Sequence, residues 1–152
     1  MIDKKINKLR NLIKLNNIDG YIVPKNDEFF SEYAFPNRLK AISNFSGSAG
    51  LAIILKDKNF LFVDGRYILQ SKIESGNNFN IIEIPKLLPH DLLRKYKKEL
   101  LLGFDPILFT NNSLKRSFKD SCSLIPINQN LIDLIDTKKI YDHRKETFYI
   151  LY

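Results

Sequence analysis

The amino-acid sequence predicts an α/β fold: a single domain with a mixed, mostly parallel sheet of about five to six strands, one antiparallel hairpin within that sheet, and flanking helices. Three observations lead to this prediction. Apolar residues recur at helical spacing near the amino terminus, short apolar runs alternate with amphipathic segments further along, and two adjacent apolar runs are separated by only a few polar residues. A chain of 152 residues is long enough to enclose one core.

The first elements in chain order are a helix and a strand. Asp3 can cap a helix that ends near Asn16. The apolar residues of this helix share one face: Ile2, Ile6, Leu9 and Ile13. Residues 21–23 form a short strand that Pro24 stops, and residues 26–38 are predicted to be a loop with a short helix.

A hairpin and a second helix follow. Residues 51–55 and 60–63 are predicted strands, and the polar residues 57–59 between them suit a hairpin turn. Residues 66–75 are predicted to form a helix that Gly76 ends. The buried face of that helix is expected to carry Tyr67, Leu69 or Gln70, and Ile73.

The second half of the chain continues the alternation. Strands are predicted at residues 79–84, 100–104 and 123–127. Helices are predicted at residues 91–99, 112–119 and 131–135. Parallel strands need crossover connections of this kind, so the alternation favours a largely parallel sheet.

Two short segments stand out because glycine lies beside small or charged residues. Their members are Gly47, Ser48, Ala49 and Gly50 in the first, and Asp64, Gly65, Arg66 and Tyr67 in the second. The first segment is expected to be a tight turn that depends on glycine. In the second, Asp64 can cap the following helix and Arg66 can pair with Asp64 or with a neighbouring chain, while a functional role for this charged pair stays open.

Within the longer stretches 42–50 and 64–70, these two segments and three others along the chain resemble the amino-terminal domain of Xaa-Pro aminopeptidases of the creatinase/prolidase family. The three others are Ser31-Glu32-Tyr33, Leu102-Gly103-Phe104-Asp105-Pro106 and Asn130-Leu131-Ile132-Asp133-Leu134-Ile135. The resemblance runs from about residue 2 to residue 136. It departs from the family pattern at Asn44, where the family has glycine, although asparagine tolerates a positive φ better than most residues.

The resemblance implies a ribonuclease H-like domain that is not itself catalytic. In this family the parent enzyme is a metallopeptidase, a hydrolase that removes the residue before proline at the amino terminus of a peptide. It uses two divalent metal ions, expected to be manganese, in a separate catalytic domain. The amino-terminal domain helps the enzyme to dimerise and shapes the substrate entrance. By the same resemblance Arg38 and Phe45 are candidates for substrate contact, with a surface ion pair and core packing as the respective alternatives.

The residues themselves suggest no catalytic or metal site. The chain has two histidines, His90 and His143, without the His-Glu-x-x-His spacing of zinc peptidases. Cys122 is the single cysteine and has no histidine near it in sequence, so it is expected to be a small buried or edge residue. The chain alone is therefore predicted to be inactive and to hold no metal or cofactor. A lone cysteine also favours a cytoplasmic protein.

The net charge of +7 comes from dispersed lysines, which favours a solvated surface over a specific nucleic-acid site. No apolar run approaches the roughly 20 residues that span a bilayer, so no membrane partner is expected. Two alternatives stay open. Residues 47–50 also fit the Gly-x-x-Gly loop of K-homology RNA-binding domains. The other alternative is a free-standing interaction domain from a split gene.

The domain is predicted to span residues 1–136. Residues 137–152 change from polar to apolar and are predicted to be a linker and the truncated first strand of a following domain. The expected partners are accordingly the missing middle and catalytic domains of the parent. Four aromatic residues of the 26–38 loop are core by default, but exposed rings there would mark an interface: Phe29, Phe30, Tyr33 and Phe35.

Overall fold

The computed structural model describes residues 2–26 and 37–135, and within them six strands form one sheet. The strands are β1 (Gly20–Pro24), β2 (Leu51–Leu55), β3 (Asn59–Asp64), β4 (Asn80–Ile84), β5 (Leu101–Phe104) and β6 (Ser123–Pro126). Their order is β4-β3-β2-β1-β5-β6. Strand β2 is antiparallel to β1 and β3, whereas the pairs β3–β4, β1–β5 and β5–β6 are parallel. The predicted mixed sheet and its hairpin are confirmed.

Helices cover both faces of this sheet. They are α1 (Ile2–Leu15), α2 (Arg38–Ser43), α3 (Ile68–Ser75), α4 (Pro89–Leu93), α5 (Asn111–Phe118) and α6 (Leu131–Ile135). Side chains of α1, α2 and α6 form one core with alternate residues of the strands, and side chains of α4 and α5 form a second core on the opposite face. This alternation follows from the strand geometry, in which successive side chains point to opposite faces.

Helix α1 and the hairpin form as the sequence predicts. Ile6, Leu9 and Ile13 are almost completely buried, since residues three and four apart share a helix face. Asn17 follows the helix with a positive φ of 55°, a conformation that asparagine tolerates. In the hairpin, Ile54 pairs with Asn59 across the predicted turn.

The predicted buried face of the 66–75 helix is correct at Tyr67, which packs against the core, and wrong at Leu69 and Ile73. The helix begins with a 3-10 turn at Gly65–Tyr67, and α3 then buries Ser71 and Ser75. Ser71 and Ser75 follow the half-buried Tyr67 at i+4 spacing, so these three residues share one face. Leu69 and Ile73 consequently lie on the outer face, with 73% and 76% of their surface exposed.

One further expectation is corrected, and one helix was not predicted. The predicted 91–99 helix is shorter than expected and ends at Leu93, as α4, in which Leu92 and Leu93 are buried. The chain that follows is held by Asp19, which accepts hydrogen bonds from Lys98 Nζ and the Leu101 amide. Residues 38–43 are helical, as α2, although they follow a predicted loop. The side chain of Asn37 begins α2 by accepting a hydrogen bond from the Lys40 amide, at 3.1 Å.

Candidate functional site

The 47–50 turn lies against the ring of Phe45, which is completely buried. A Cβ atom added at Gly47 would lie 2.2 Å from Phe45 Cζ, and one added at Gly50 would lie 3.0 Å from Leu39 Cδ2 and 3.2 Å from Phe45 Cε2. No glycine of the described residues has a positive φ, so these two glycines are required by the close approach of the backbone to the ring.

The positive φ in this region belongs to Asn44. Its φ of 67° places it in the left-handed conformation that ends α2, and its backbone amide donates a 2.8 Å hydrogen bond to the Lys40 carbonyl. Asn44 therefore carries the left-handed conformation at the position where the resemblance led us to expect glycine.

Tyr67 joins the two glycine-containing segments. Its hydroxyl lies 2.5 Å from Ser48 Oγ, and its ring meets Phe45 edge to face with the centroids 5.7 Å apart. Residues 47–50 and 64–67 are thus one packed unit, although 13 residues separate them in sequence.

Asp64 caps the turn that precedes α3, as predicted. Its Oδ1 accepts a 2.9 Å hydrogen bond from the Arg66 amide, and its Oδ2 lies 2.9 Å from Arg66 Nη2. The Arg66 side chain holds the pKa of this carboxyl below its usual value. The Arg66 side chain is largely exposed, and its guanidinium carbon lies 5.1 Å from the centroid of the Tyr67 ring. A functional role for the charged pair stays a prediction.

Glu74 ties α3 to the turn. Its carboxylate accepts hydrogen bonds from the Ser46 amide at 3.0 Å, from Ser46 Oγ at 2.7 Å, and from Gln70 Nε2 at 3.2 Å. Burial raises the pKa of Glu74. The hydrogen bonds from Ser46 and Gln70 lower it by more than burial raises it, so the net pKa lies below its ordinary value. Ser75 completes the attachment with a 2.7 Å bond from its hydroxyl to the Ser43 carbonyl.

Arg38, predicted to contact substrate, is engaged inside the domain. Its Nε donates to Asp133 Oδ1 at 2.8 Å and its Nη2 donates to Asp133 Oδ2 at 3.0 Å. Arg38 is 4% exposed. Burial lowers the pKa of Arg38. The hydrogen bonds and the negative charge of Asp133 raise it by more than burial lowers it, so the net pKa is raised. The alternative of a surface ion pair does not describe this buried arrangement. Contact of Arg38 or Phe45 with substrate stays a prediction.

The Asp133 helix is also held by the 102–106 segment. Asn130 Nδ2 donates a 3.0 Å hydrogen bond to Asp105 Oδ2, and the Leu131 amide donates to the hydroxyl of Tyr21 at 3.2 Å. Tyr21 is completely buried, and burial raises the pKa of its hydroxyl well above the ordinary value. Four of the five family-like segments therefore form two contacting pairs, 47–50 with 64–67 and 102–106 with 130–135, and Arg38 links the second pair to the helix before the 47–50 turn. The fifth, 31–33, lies outside the described residues.

The remaining sequence candidates lie apart from this network. His90 Nδ1 is 3.2 Å from an Asp91 carboxylate oxygen and 3.4 Å from Arg94 Nη1, an arrangement on the surface of α4. Cys122 is half-buried, and burial raises the pKa of its thiol. Within residues 2–26 and 37–135, no group of three or more His, Cys, Asp or Glu side chains could hold a metal ion. His143, the loop aromatics and residues 137–152 lie outside the described residues.

Sequence reasoning missed two partners, Asp133 for Arg38 and Glu74 for Ser46. Asp133 was part of a recognised segment, so the signal was present, but its partner is 95 positions away in sequence. Glu74 is 28 positions from Ser46 and belongs to no recognised segment. Local spacing does not predict such pairs.

A model of the creatinase/prolidase N-terminal domain matches residues 5–136, which is most of the chain. The chain belongs to this family. The K-homology alternative gains no support, because the 47–50 turn of this creatinase/prolidase N-terminal domain leads from a helix directly into β2, whereas the loop of K-homology domains joins two helices.

A relative in Coprinopsis cinerea, named a probable Xaa-Pro aminopeptidase P, is 34% identical over 142 residues. The match covers 87% of this chain and 23% of the relative, so this creatinase/prolidase N-terminal domain spans about a quarter of the length of such relatives.

Two solved structures share the fold of this creatinase/prolidase N-terminal domain. The X-prolyl aminopeptidase of Caenorhabditis elegans, described as a cytosolic enzyme with a di-nuclear active site, superposes with a TM-score of 0.77 at 26% identity. The alignment covers 91% of this chain and 26% of that enzyme. The N-terminal domain of the cytoplasmic peptidase PepQ of Mycobacterium tuberculosis gives a TM-score of 0.66 at 18% identity, covering 87% of this chain and 98% of that domain.

Proposed function

We propose that this chain serves as the non-catalytic amino-terminal domain of an Xaa-Pro aminopeptidase-like metallopeptidase, which removes the residue before proline from the amino terminus of a peptide. One observation carries the proposal. The chain matches the amino-terminal domain family over residues 5–136, and the matched relative in Coprinopsis cinerea is a much longer protein. The work of the domain is then positional: it supports subunit association and shapes the substrate entrance.

The metal chemistry belongs to the parent in this proposal. The related Caenorhabditis elegans enzyme is described as having a di-nuclear active site, which supports two divalent ions, with manganese as our proposal, in a separate catalytic domain. Such ions polarise the scissile carbonyl and supply hydroxide near neutral pH. The described residues of this chain do not gather a ligand set that fits such ions, so we assign no catalytic step to them.

The cellular setting follows from the same relatives. The Caenorhabditis elegans enzyme is described as cytosolic, which supports a cytoplasmic location for this chain. Every helix in the described part of the chain is too short or too polar to cross a bilayer. The linker and strand predicted for residues 137–152 stay part of the proposal, as the connection to a following domain.

Association is proposed to use the outer face of α3 and to join two copies of the domain. Leu69 and Ile73 stand one helical turn apart on this face, while the serines of the helix point inward. An exposed apolar ridge at i, i+4 spacing is shaped to lie in the groove beside an identical ridge on a second helix. The Phe45–Tyr67 contact and the Glu74 hydrogen bonds hold α3 in a fixed position for this role.

Sedimentation of the purified chain tests this association. We expect the wild-type chain to form dimers at micromolar concentrations and the double variant Leu69→Glu, Ile73→Glu to be monomeric with an unchanged circular dichroism spectrum. Leu15→Glu is the matched control, because Leu15 is 77% exposed on α1, away from this ridge. A monomeric wild type, or equal loss of dimer in the control, would contradict the proposed surface.

A further inference from the structure

A groove of about 770 Å³ lies where β1 and β4 end and β2 begins, beside α5. Its volume falls within the range of roughly 300–1,000 Å³ that is usual for ligand sites. Ligands of α/β proteins commonly bind beyond the carboxyl ends of the strands. None of the motif contacts between Arg38 and Asp133 or between Ser48 and Tyr67 involves this groove.

The walls of the groove are mainly apolar. Their apolar lining includes Pro24, Leu51, Phe62, Ile84, Leu108 and Phe109. Burying apolar groups against such walls stabilises a ligand in proportion to the apolar area that leaves water. An occupant must therefore have an apolar body.

One cation stands at the groove without a counter-charge. Arg116 lies in the last turn of α5 and is exposed, and it makes no hydrogen bond or ion pair with the described residues. No Asp or Glu of the described residues lines the groove. Glu99 and Asp120 line a separate hollow, which Arg116 also borders together with Lys115 and Lys119. The electrostatics of the groove thus favour an anionic group on the occupant.

The hydroxyl groups at the groove favour a peptide over a fatty acid as the anionic occupant. Thr110 Oγ1 accepts a hydrogen bond from the Ser113 amide, which leaves its own hydrogen available to a ligand carbonyl. The side chain of Ser117, which lies next to Arg116, makes no hydrogen bond with the described residues. A peptide presents amide groups that need such partners along its length, whereas a fatty acid does not.

We propose that this groove binds the carboxyl-terminal end of a short apolar peptide, with Arg116 on the terminal carboxylate. The hydroxyls of Thr110 and Ser117 serve the last amide groups, and the apolar walls contact the side chains. This proposal does not rest on the proposed function, because it concerns binding by this chain alone and requires no hydrolysis.

Titration of the purified chain with acetyl-Leu-Pro-Phe tests it, since the blocked amino terminus prevents aminopeptidase action. The peptide acid and its carboxyl-terminal amide are compared by calorimetry, with octanoate as a third ligand. We expect a Kd of about 1 mM or lower for the acid. The amide should bind at least about tenfold more weakly, because it loses the charge-assisted hydrogen bonds to Arg116.

Two variants locate the site. Arg116→Gln should weaken the acid about tenfold and abolish the preference for acid over amide, whereas Lys115→Gln, which removes an adjacent charge outside the groove, should change neither. The proposal is overturned if the acid does not bind at several millimolar or if acid and amide bind with equal affinity. It is also overturned if the two variants have equal effects or if octanoate binds as tightly as the peptide. The comparison of acid with amide needs no variant, so it decides the question even if Arg116→Gln fails to fold.

Discussion

Arg38 and Asp133 form a two-point ion pair, with distances of 2.8 and 3.0 Å, that joins the helix before the 47–50 turn to the last described helix. Asp133 belongs to the family-like segment 130–135, whereas Arg38 lies outside the family-like segments. Arg38 is almost completely buried and Asp133 is partly exposed, so the pair is largely shielded from solvent.

Replacement of Arg38 by alanine should lower the free energy of unfolding by about 2–4 kcal/mol. Breaking a fully buried pair typically costs about 3–5 kcal/mol, and the cost should be smaller here because Asp133 is partly exposed to solvent. Arg38→Lys should recover only part of the loss, because a point charge cannot reproduce the planar fork. Urea denaturation measures both values. A loss below about 0.5 kcal/mol, the size expected of an ordinary surface change, would show that the pair does not stabilise the domain.

Gly47→Ala should destabilise the domain by about 1–3 kcal/mol, the usual range for overpacking. The new methyl group would lie 2.2 Å from the Phe45 ring, so the ring or the turn must move. The matched control is Gly65→Ala, where the nearest atom, Glu83 Oε2, is 3.7 Å from the added Cβ. Thermal unfolding of the two variants should differ clearly, and equal midpoints would refute the close-approach explanation.

The Glu74 contacts predict a specific pH dependence. The pKa of Glu74 is lowered in the folded state from its ordinary value of 4.5, so its contribution to stability is present above that value and is lost as the pH falls through the lower, folded-state pKa. Glu74→Gln should therefore be less stable than wild type near about pH 6, and the difference should shrink near about pH 3.

Urea midpoints at the two pH values measure this effect. Glu99→Gln serves as the control, because Glu99 is exposed and makes no hydrogen bond with the described residues. A stability difference between wild type and Glu74→Gln that stays constant with pH would mean that the Ser46 bonds do not favour the charged carboxylate.

Local patterns in the sequence were sufficient for most of the fold. The apolar spacing of α1 and the two runs of the hairpin follow from periodicities of 3.6 and 2, which depend on neighbouring residues only. The face of α3 could not be predicted in this way. Ser71 and Ser75 lie on the inner face, and a hydrogen bond from Ser75 to the Ser43 carbonyl compensates for burying a serine where the pattern favoured Leu69 and Ile73.

The site shows the same limit more strongly. The segments at 47–50 and 64–67 were identified from sequence, but their contact through Tyr67 and Ser48 depends on the sheet that brings them together. Arg38 was singled out as a substrate contact because its position resembles that of a family residue. Its partner, Asp133, is 95 residues away, and no spacing rule relates the two positions.

Hydrolysis by the purified chain alone is the most direct test of the central claim, that this is a non-catalytic amino-terminal domain. The substrate is a peptide with proline in second position, supplied with manganese, cobalt or zinc, and the full-length Caenorhabditis elegans enzyme serves as the positive control. We predict no release of the amino-terminal residue by the chain under conditions in which the control is active. Metal-dependent release that follows the purified chain and is abolished by a chelator would contradict the claim.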